Sequence, residues 1–235
     1  MLVRPVRWRM ISVVKEKSSL WLPLLLMFVF ALTRWPGVLP LNFSAAYGLL
    51  FCAGVYLPRR LAWWFPLATM LITDLALNLY YWYALHIDAF RATQLVNYVV
   101  YLLVIGMGTL FKPTASFLRL LGGGLLGAIL FYLITNTAAW FFNPFGNPEY
   151  TRTFLGWLTA LTKGTAGYAE TWEFFRNTLL SGGLFTGLFV GAMKAVQASE
   201  SAREKEAEAP EETSGEEDRP PRGEPKGGPE EAEAT

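Results

Sequence analysis

Long apolar stretches alternate with short polar breaks from residue 20 to residue 196. Six of these stretches are 15 to 26 residues long. A helix needs about 20 mainly apolar residues to cross the bilayer core, or fewer where the bilayer thins. The breaks contain proline, glycine or charged residues, which end helices. We therefore predict an all-α, polytopic membrane protein, a six-transmembrane-helix bundle with the spans Leu20–Trp35, Phe43–Leu57, Leu61–Ala84, Gln94–Phe111, Phe117–Phe142 and Phe174–Val196.

A seventh, shorter pattern occupies residues 150–173. Phe154, Trp157, Leu158 and Leu161 fall at helical spacing, with Thr, Lys and Gly between them. This spacing predicts an amphipathic helix that lies at the outer membrane interface or folds over the bundle.

Composition adds a division into three parts. The chain is 53% hydrophobic, whereas a soluble domain is about 45–50% apolar even when glycine is counted. Residues 199–235 carry thirteen acidic and five basic side chains, a net charge of −8, and the rest of the chain carries +9. We expect a basic cytoplasmic N-terminus at 1–18, a membrane domain at 19–198 and a disordered acidic tail at 199–235, which is either a solvated spacer or a partner-binding segment.

Lysine and arginine positions predict the orientation. Within residues 1–205, a cytoplasmic N-terminus with six spans puts twelve basic residues inside and five outside, as the positive-inside rule requires. Both termini are then cytoplasmic. The first span follows a basic segment, as a signal peptide does, but "LTRWPG" provides no small-x-small cleavage site, so we expect this helix to be retained.

Polar side chains inside the spans are predicted to share one depth. Asp74 lies thirteen residues into the third span, roughly 20 Å from its cytoplasmic end. Counting along the other spans brings further polar residues to the outer half as well. These candidate ligand-binding residues are Asn42, Asp74, Asn78, Asn97, Asn136, Trp140, Arg176 and Asn177.

Two interpretations of this polar level remain open. A carboxylate at a helix centre costs about 2.5–3.5 kcal/mol on insertion scales, so Asp74 needs a partner. In one interpretation Arg176 forms a structural ion pair with Asp74, and the amides join helices. In the other they line a pocket that opens outward, with Tyr98, Trp140 and Trp172 as its walls.

Small residues form two stripes at four-residue spacing. Such stripes let helices approach closely, either inside the bundle or against another membrane subunit. Their members are Gly123 and Gly127 on the fifth span, and Gly183, Gly187 and Gly191 on the sixth.

The chain shows no signal for an enzyme, a cofactor or a metal. Cys52 is the one cysteine, with apolar and small neighbours, so a packing role is expected. His86 and Asp88 do not make a metal site by themselves. Phosphate-loop, nucleophile-elbow and zinc-protease motifs are missing from the sequence, and so is a basic, aromatic surface for nucleic acid.

Several segments resemble a known group of sequences. "LNFSAAYGLLFCAGVYLPRRLAWWFPLATMLITDL", "GAILFYLITNTAAW" and "FFRNTLLSGGLF" resemble an uncharacterised family of bacterial integral-membrane proteins. This resemblance implies that the chain lies in the bacterial inner membrane. The chain is also similar to the substrate-binding S components of energy-coupling-factor vitamin transporters. This resemblance implies a six-helix bundle that captures a small molecule outside and works with an energising ATPase module, through Asn42, Asp74, Asn136, Trp140, Arg176 and Asn177.

Two functions follow from these observations. The first is a small-solute binding and transport subunit, whose partners are the lipid bilayer, a small-molecule ligand and an energising module. The second is a membrane scaffold that does not transport and binds other proteins through its glycine stripes and acidic tail. An enclosed outer cavity lined by the polar residues favours the first function, and polar residues that bond one another without a void favour the second.

Overall fold

A computed structural model describes residues 21–35, 37–87, 90 and 92–208. The predicted basic N-terminus at 1–18 and residues 209–235 of the predicted acidic tail lie outside the described residues. Residues 199–208 of that tail, which were predicted to be disordered, are helical and continue the last helix. Within the described part the chain is entirely helical, with seven helices and no strand, so the all-α prediction is confirmed. The helices are α1 (Trp21–Thr33), α2 (Ala46–Tyr56), α3 (Arg59–Leu85), α4 (Gln94–Gly108), α5 (Phe117–Phe142), α6 (Phe154–Thr162) and α7 (Thr171–Glu208).

Three of these helices, α3, α5 and α7, are long and apolar enough to cross a membrane. Helices α2 and α4 are apolar but have only 11 and 15 residues, and α1 has 13. The predicted number of six spans is therefore not decided by helix length. The predicted amphipathic segment contains α6, which packs against α5.

The exposed surface of α3 has the character of a lipid-facing helix. Ala62, Pro66 and Met70 are buried at four-residue spacing, which makes one stripe along the helix. On its other faces Leu71 and Ile72 are 59% and 67% exposed. A surface helix of a soluble protein carries polar residues on its open face, so this apolar exposure is what a membrane protein requires.

Helix α2 forms the core of the bundle. Each residue from Ala46 to Val55 is buried, as expected of a helix that is apolar on every side. It packs against α1, α3, α4 and α5. Cys52 lies in this core and is 3% exposed, in agreement with the packing role expected from the sequence.

Glycine allows α2 and α4 to touch through their backbones. A Cβ atom added to Gly54 would lie 2.2 Å from the carbonyl oxygen of Ile105, and one added to Gly108 would lie 2.2 Å from that of Phe51. Both distances are far below contact, and a backbone carbonyl cannot move aside cheaply. The crossing of α2 and α4 therefore requires glycine at both positions.

Only some glycines of the predicted stripes lie at close contacts between helices. Gly123 and Gly127 pack inside the bundle, with added Cβ atoms 2.4 Å from Phe51 and 3.1 Å from Val104. On α7, however, the same construction puts Gly183 and Gly187 at ordinary distances of 3.4 and 3.8 Å, and it finds nothing within 4 Å of Gly191. Gly191 therefore makes no close contact inside the bundle, and its alternative role against another membrane subunit stays a prediction.

The close contacts of α7 lie on a neighbouring face. A Cβ on Gly182 would lie 2.8 Å from Ala128, and the buried Thr186 fits against Gly48 and Gly124. Helices α2, α5 and α7 meet at this threonine. The closest contacts of α7 thus follow the predicted four-residue period one position earlier in the chain, at Gly182 and Thr186.

Candidate functional site

An ion pair joins α1 and α3 inside the bundle. Arg34 directly follows α1, and its Nη2 lies 2.6 Å from Asp74 Oδ1. The hydroxyl of Tyr98 donates to Asp74 Oδ2 at 2.8 Å, so both carboxylate oxygens are engaged. Both members of the ion pair have side chains that are 18% exposed, which makes the pair part-buried.

The partner of Asp74 is therefore Arg34, and the predicted pairing with Arg176 is wrong. Arg176 is exposed, and its guanidinium lies over the ring of Trp172, 5.3 Å from the centroid. Counting residues along a span gives the depth of a side chain but not the direction in which it points from the helix axis. Arg176 was selected by depth alone, whereas α1 and α3 are packed neighbours.

The guanidinium of Arg34 is further held by α3. Its Nη1 donates to the hydroxyl of Thr73 at 2.7 Å, and that hydroxyl donates to the carbonyl of Thr69 at 2.8 Å. Hydrogen bonds from both ends of the guanidinium fix its plane. The charges of Arg34 and Asp74 cancel locally.

The amide of Asn78 is used by another side chain. Asn78 and Gln94 exchange two hydrogen bonds, each 3.2 Å long, and Asn78 is 7% exposed. This reciprocal pair joins α3 to the first turn of α4. Asn78 thus has the helix-joining role that one interpretation of the sequence gave to the amides.

The polar segment at the end of α5 holds the chain that follows it. Asn136 Nδ2 donates to the carbonyl of Tyr132, one turn earlier in the same helix, at 2.8 Å. Thr137 accepts a hydrogen bond from the indole of Trp157 at 2.9 Å. The indole of Trp140 donates to the carbonyl of Thr151 at 2.7 Å. The two indole bonds tie α6 and the loop before it onto α5, whereas the bond of Asn136 stays within α5.

Hydrogen bonds of Asn177 and Tyr132 fasten the start of α7 to other parts of the chain. Asn177 Nδ2 donates to the carbonyl of Leu41 in the loop between α1 and α2, at 2.9 Å. The hydroxyl of Tyr132 donates to the carbonyls of Leu161 and Thr171. Asn177 therefore links the start of α7 to the α1–α2 loop.

A cleft of about 350 Å³ lies under that loop. We call it the Arg34 cleft. Its polar lining includes Arg34, Asn42, Ser44 and Asn97, contributed by the α1–α2 loop and α4. Its aromatic lining comprises Trp35, Phe43, Tyr47, Tyr81, Tyr101 and Phe131.

Three of the aromatic rings make a continuous wall. The ring of Phe131 lies 4.8 Å from that of Tyr47 and 5.8 Å from that of Tyr101, the second pair being nearly parallel. Aromatic pairs at such distances are favourable beyond the area they bury. The wall is thus fixed by α2, α4 and α5 together.

Sequence reasoning found only part of this lining. Among the predicted ligand residues, Asn42 and Asn97 line the cleft, and Asp74 acts on it through Arg34. The predicted residues outside the lining are Asn78, Asn136, Trp140, Arg176 and Asn177. Arg34 was not among the predicted ligand residues, although its position at the end of the predicted span Leu20–Trp35 was a usable signal.

Metal binding is not suggested by the described residues. Among them, no three His, Cys, Asp or Glu side chains come together in a way that could hold a metal ion. The chemistry available in the cleft is hydrogen bonding from amides, hydroxyls and one neutralised guanidinium, together with aromatic contact.

Comparison with known proteins gives one match. Residues 14–205 match a family described as a family of unknown function (DUF6580). Neither a curated protein nor a solved structure gives a significant match to the chain.

Proposed function

We propose that this chain, which belongs to a family of unknown function (DUF6580), is an integral membrane protein. In this proposal it binds a small, uncharged solute in the Arg34 cleft. The observation that carries the proposal is the cleft itself. Its volume of about 350 Å³ falls in the range of ~300–1,000 Å³ for small-molecule sites, which are mainly apolar with a few placed polar groups.

The charge balance of the cleft supports an uncharged ligand. An unpaired Asp74 would favour a cation, but Arg34 lies 2.6 Å from it and neutralises it. Arg34 in turn directs hydrogen bonds to Asp74 and Thr73, which leaves it less free to bind an anion. The amides of Asn42 and Asn97 offer both donors and acceptors, so a ligand with carbonyl, amide or hydroxyl groups on an aromatic or apolar frame fits best.

The six-span arrangement is part of this proposal. Helix α2 is shorter than a spanning helix but buried along its length, so α1 and α3 to α5 shield it from lipid. With six spans, the Arg34 cleft faces away from the cytoplasm and both chain ends lie inside, as the basic residues favour. Transport would follow capture, with an energising ATPase module as partner.

Native mass spectrometry of the detergent-purified full chain tests ligand binding. The wild-type protein should carry a co-purifying small molecule, and Asn97→Leu, which removes an amide from the cleft, should lose it. Asn136→Leu is the matched control, because Asn136 bonds its own helix and should retain the adduct. An empty wild-type protein, or an adduct kept by Asn97→Leu as fully as by the control, would contradict the proposal.

A scaffold function is the second candidate, and a specific observation favours it. Asn78, Asn136 and Asn177 bond protein groups and do not line the cleft. In addition, Gly191 has open space around it. Gly191→Leu should then weaken association with a membrane partner without changing the ligand adduct, as judged by cross-linking of the intact chain in membranes.

A further inference from the structure

Two grooves that share lining residues lie at the opposite end of the bundle from the Arg34 cleft. The end of α2, the start of α3 and the end of α4 meet there. One groove, of about 400 Å³, is lined by Gly54, Leu57 and Thr109 together with Arg59 and Trp63. The other, of about 490 Å³, runs along α3 and α4 past Leu67 and Leu102, and it shares Arg59 and Trp63 with the first. We call the two together the Arg59 groove.

The Arg59 groove is strongly positive. Arg59 and Arg60 are both exposed, and in the described part of the chain neither forms an ion pair with an acidic side chain. The sequence has no Asp or Glu between Glu16 and Asp74. Nearby acidic residues on the same segment therefore cannot neutralise the two arginines.

The backbone adds to this positive charge. Helix α3 begins at Arg59 after Pro58, and no side chain caps it. The first N–H groups of a helix lack intrahelical partners and carry the positive end of its dipole, where anions are stabilised. The two guanidinium groups and the helix start thus act on the same place.

The apolar part of the groove continues from this charge towards the lipid-facing surface. Trp64 is 76% exposed and Leu102 is 41% exposed, and both line the groove. Tryptophan prefers the membrane–water interface, where its ring meets lipid and its N–H meets water. A soluble anion would use the arginines but not this apolar continuation.

We propose that the Arg59 groove binds an anionic phospholipid, with the headgroup phosphate between Arg59 and Arg60 and an acyl chain along Leu67 and Leu102. Basic pockets between helices on the cytoplasmic side are suited to anionic headgroups, and the positive-inside rule puts this end of the bundle in the cytoplasm. The inference rests on the membrane placement of the chain but not on a ligand in the Arg34 cleft.

Native mass spectrometry with added lipid tests this proposal. The purified full chain is titrated with phosphatidylglycerol and with phosphatidylcholine. Wild-type protein should prefer phosphatidylglycerol, by about 25-fold if each arginine contributes about fivefold. Arg59→Gln/Arg60→Gln should remove most of that preference. Arg119→Gln is the matched control, because Arg119 is also an exposed arginine in the first turn of a helix, stacked on Phe111, and it should keep the preference.

Each alternative result has a definite meaning. An equal loss in the control variant would show a general effect of surface charge and would overturn the specific site. Displacement of the lipid by inorganic phosphate at similar concentration would identify a soluble anion as the ligand. If the double glutamine variant does not fold, Arg60→Gln alone should still lower the preference about fivefold, and an unchanged preference would refute the proposal. This test is separate from that of the proposed function, because the adduct in the Arg34 cleft should be lost in Asn97→Leu and kept in the arginine variants.

Discussion

Removing the guanidinium of Arg34 while keeping the Asp74 carboxylate tests the pairing that organises the cleft. In Arg34→Leu, Asp74 loses its 2.6 Å ion pair and keeps the hydrogen bond from Tyr98. Breaking a buried ion pair by removing one partner costs about 3–5 kcal/mol. Because both side chains are 18% exposed, water recovers part of this loss, and we expect a destabilisation of about 2–4 kcal/mol.

A double-mutant cycle separates the pair from its surroundings. Asp74→Leu leaves Arg34 without its carboxylate and should also destabilise the protein. Arg34→Leu/Asp74→Leu should recover much of the stability, because two apolar side chains replace a charged pair without leaving either charge alone. The measurement is the free energy of unfolding in mixed detergent, followed by tryptophan fluorescence.

Arg176→Leu is the control for this cycle. Arg176 is exposed and stacks on Trp172, so its removal should change the unfolding free energy by less than about 1 kcal/mol. If Arg176→Leu is as damaging as Arg34→Leu, or if the double variant loses the full sum of the single losses, the assigned pairing is refuted.

Three further outcomes are expected from the packing and hydrogen bonds. Gly54→Ala should strongly destabilise or misfold the chain, since its Cβ would lie 2.2 Å from a carbonyl oxygen, whereas Gly122→Ala, with nothing within 4 Å, should be neutral or stabilising in a thermal-shift assay. Trp157→Phe removes the bond to Thr137 and should increase proteolysis of the α5–α6 loop, at a cost of about 1 kcal/mol; unchanged cleavage would contradict the tie. Cys52, 3% exposed, should react with a water-soluble maleimide only after unfolding, and rapid labelling of the native protein would argue against the buried position of α2.

The helices themselves were largely readable from the sequence. The fifth span was predicted as Phe117–Phe142, and α5 has the same bounds. The fourth was predicted to begin at Gln94, as α4 does, but to end at Phe111, whereas α4 ends at Gly108. Apolar runs and their breaks are local properties of the chain, so local composition is sufficient to locate them.

The residues that line the Arg34 cleft could not be predicted from the sequence alone. Counting residues gives the position of a side chain along a helix axis, and that predicted the outer half of the third span for Asp74. The rotation of each helix about its axis, and the choice of its neighbours, follow from packing across the whole molecule. For that reason the sequence by itself determined where most of the helices lie along the chain. Only the tertiary structure decided that Asp74 pairs with Arg34 and that Asn97 faces a cleft while Asn136 turns back to its own backbone.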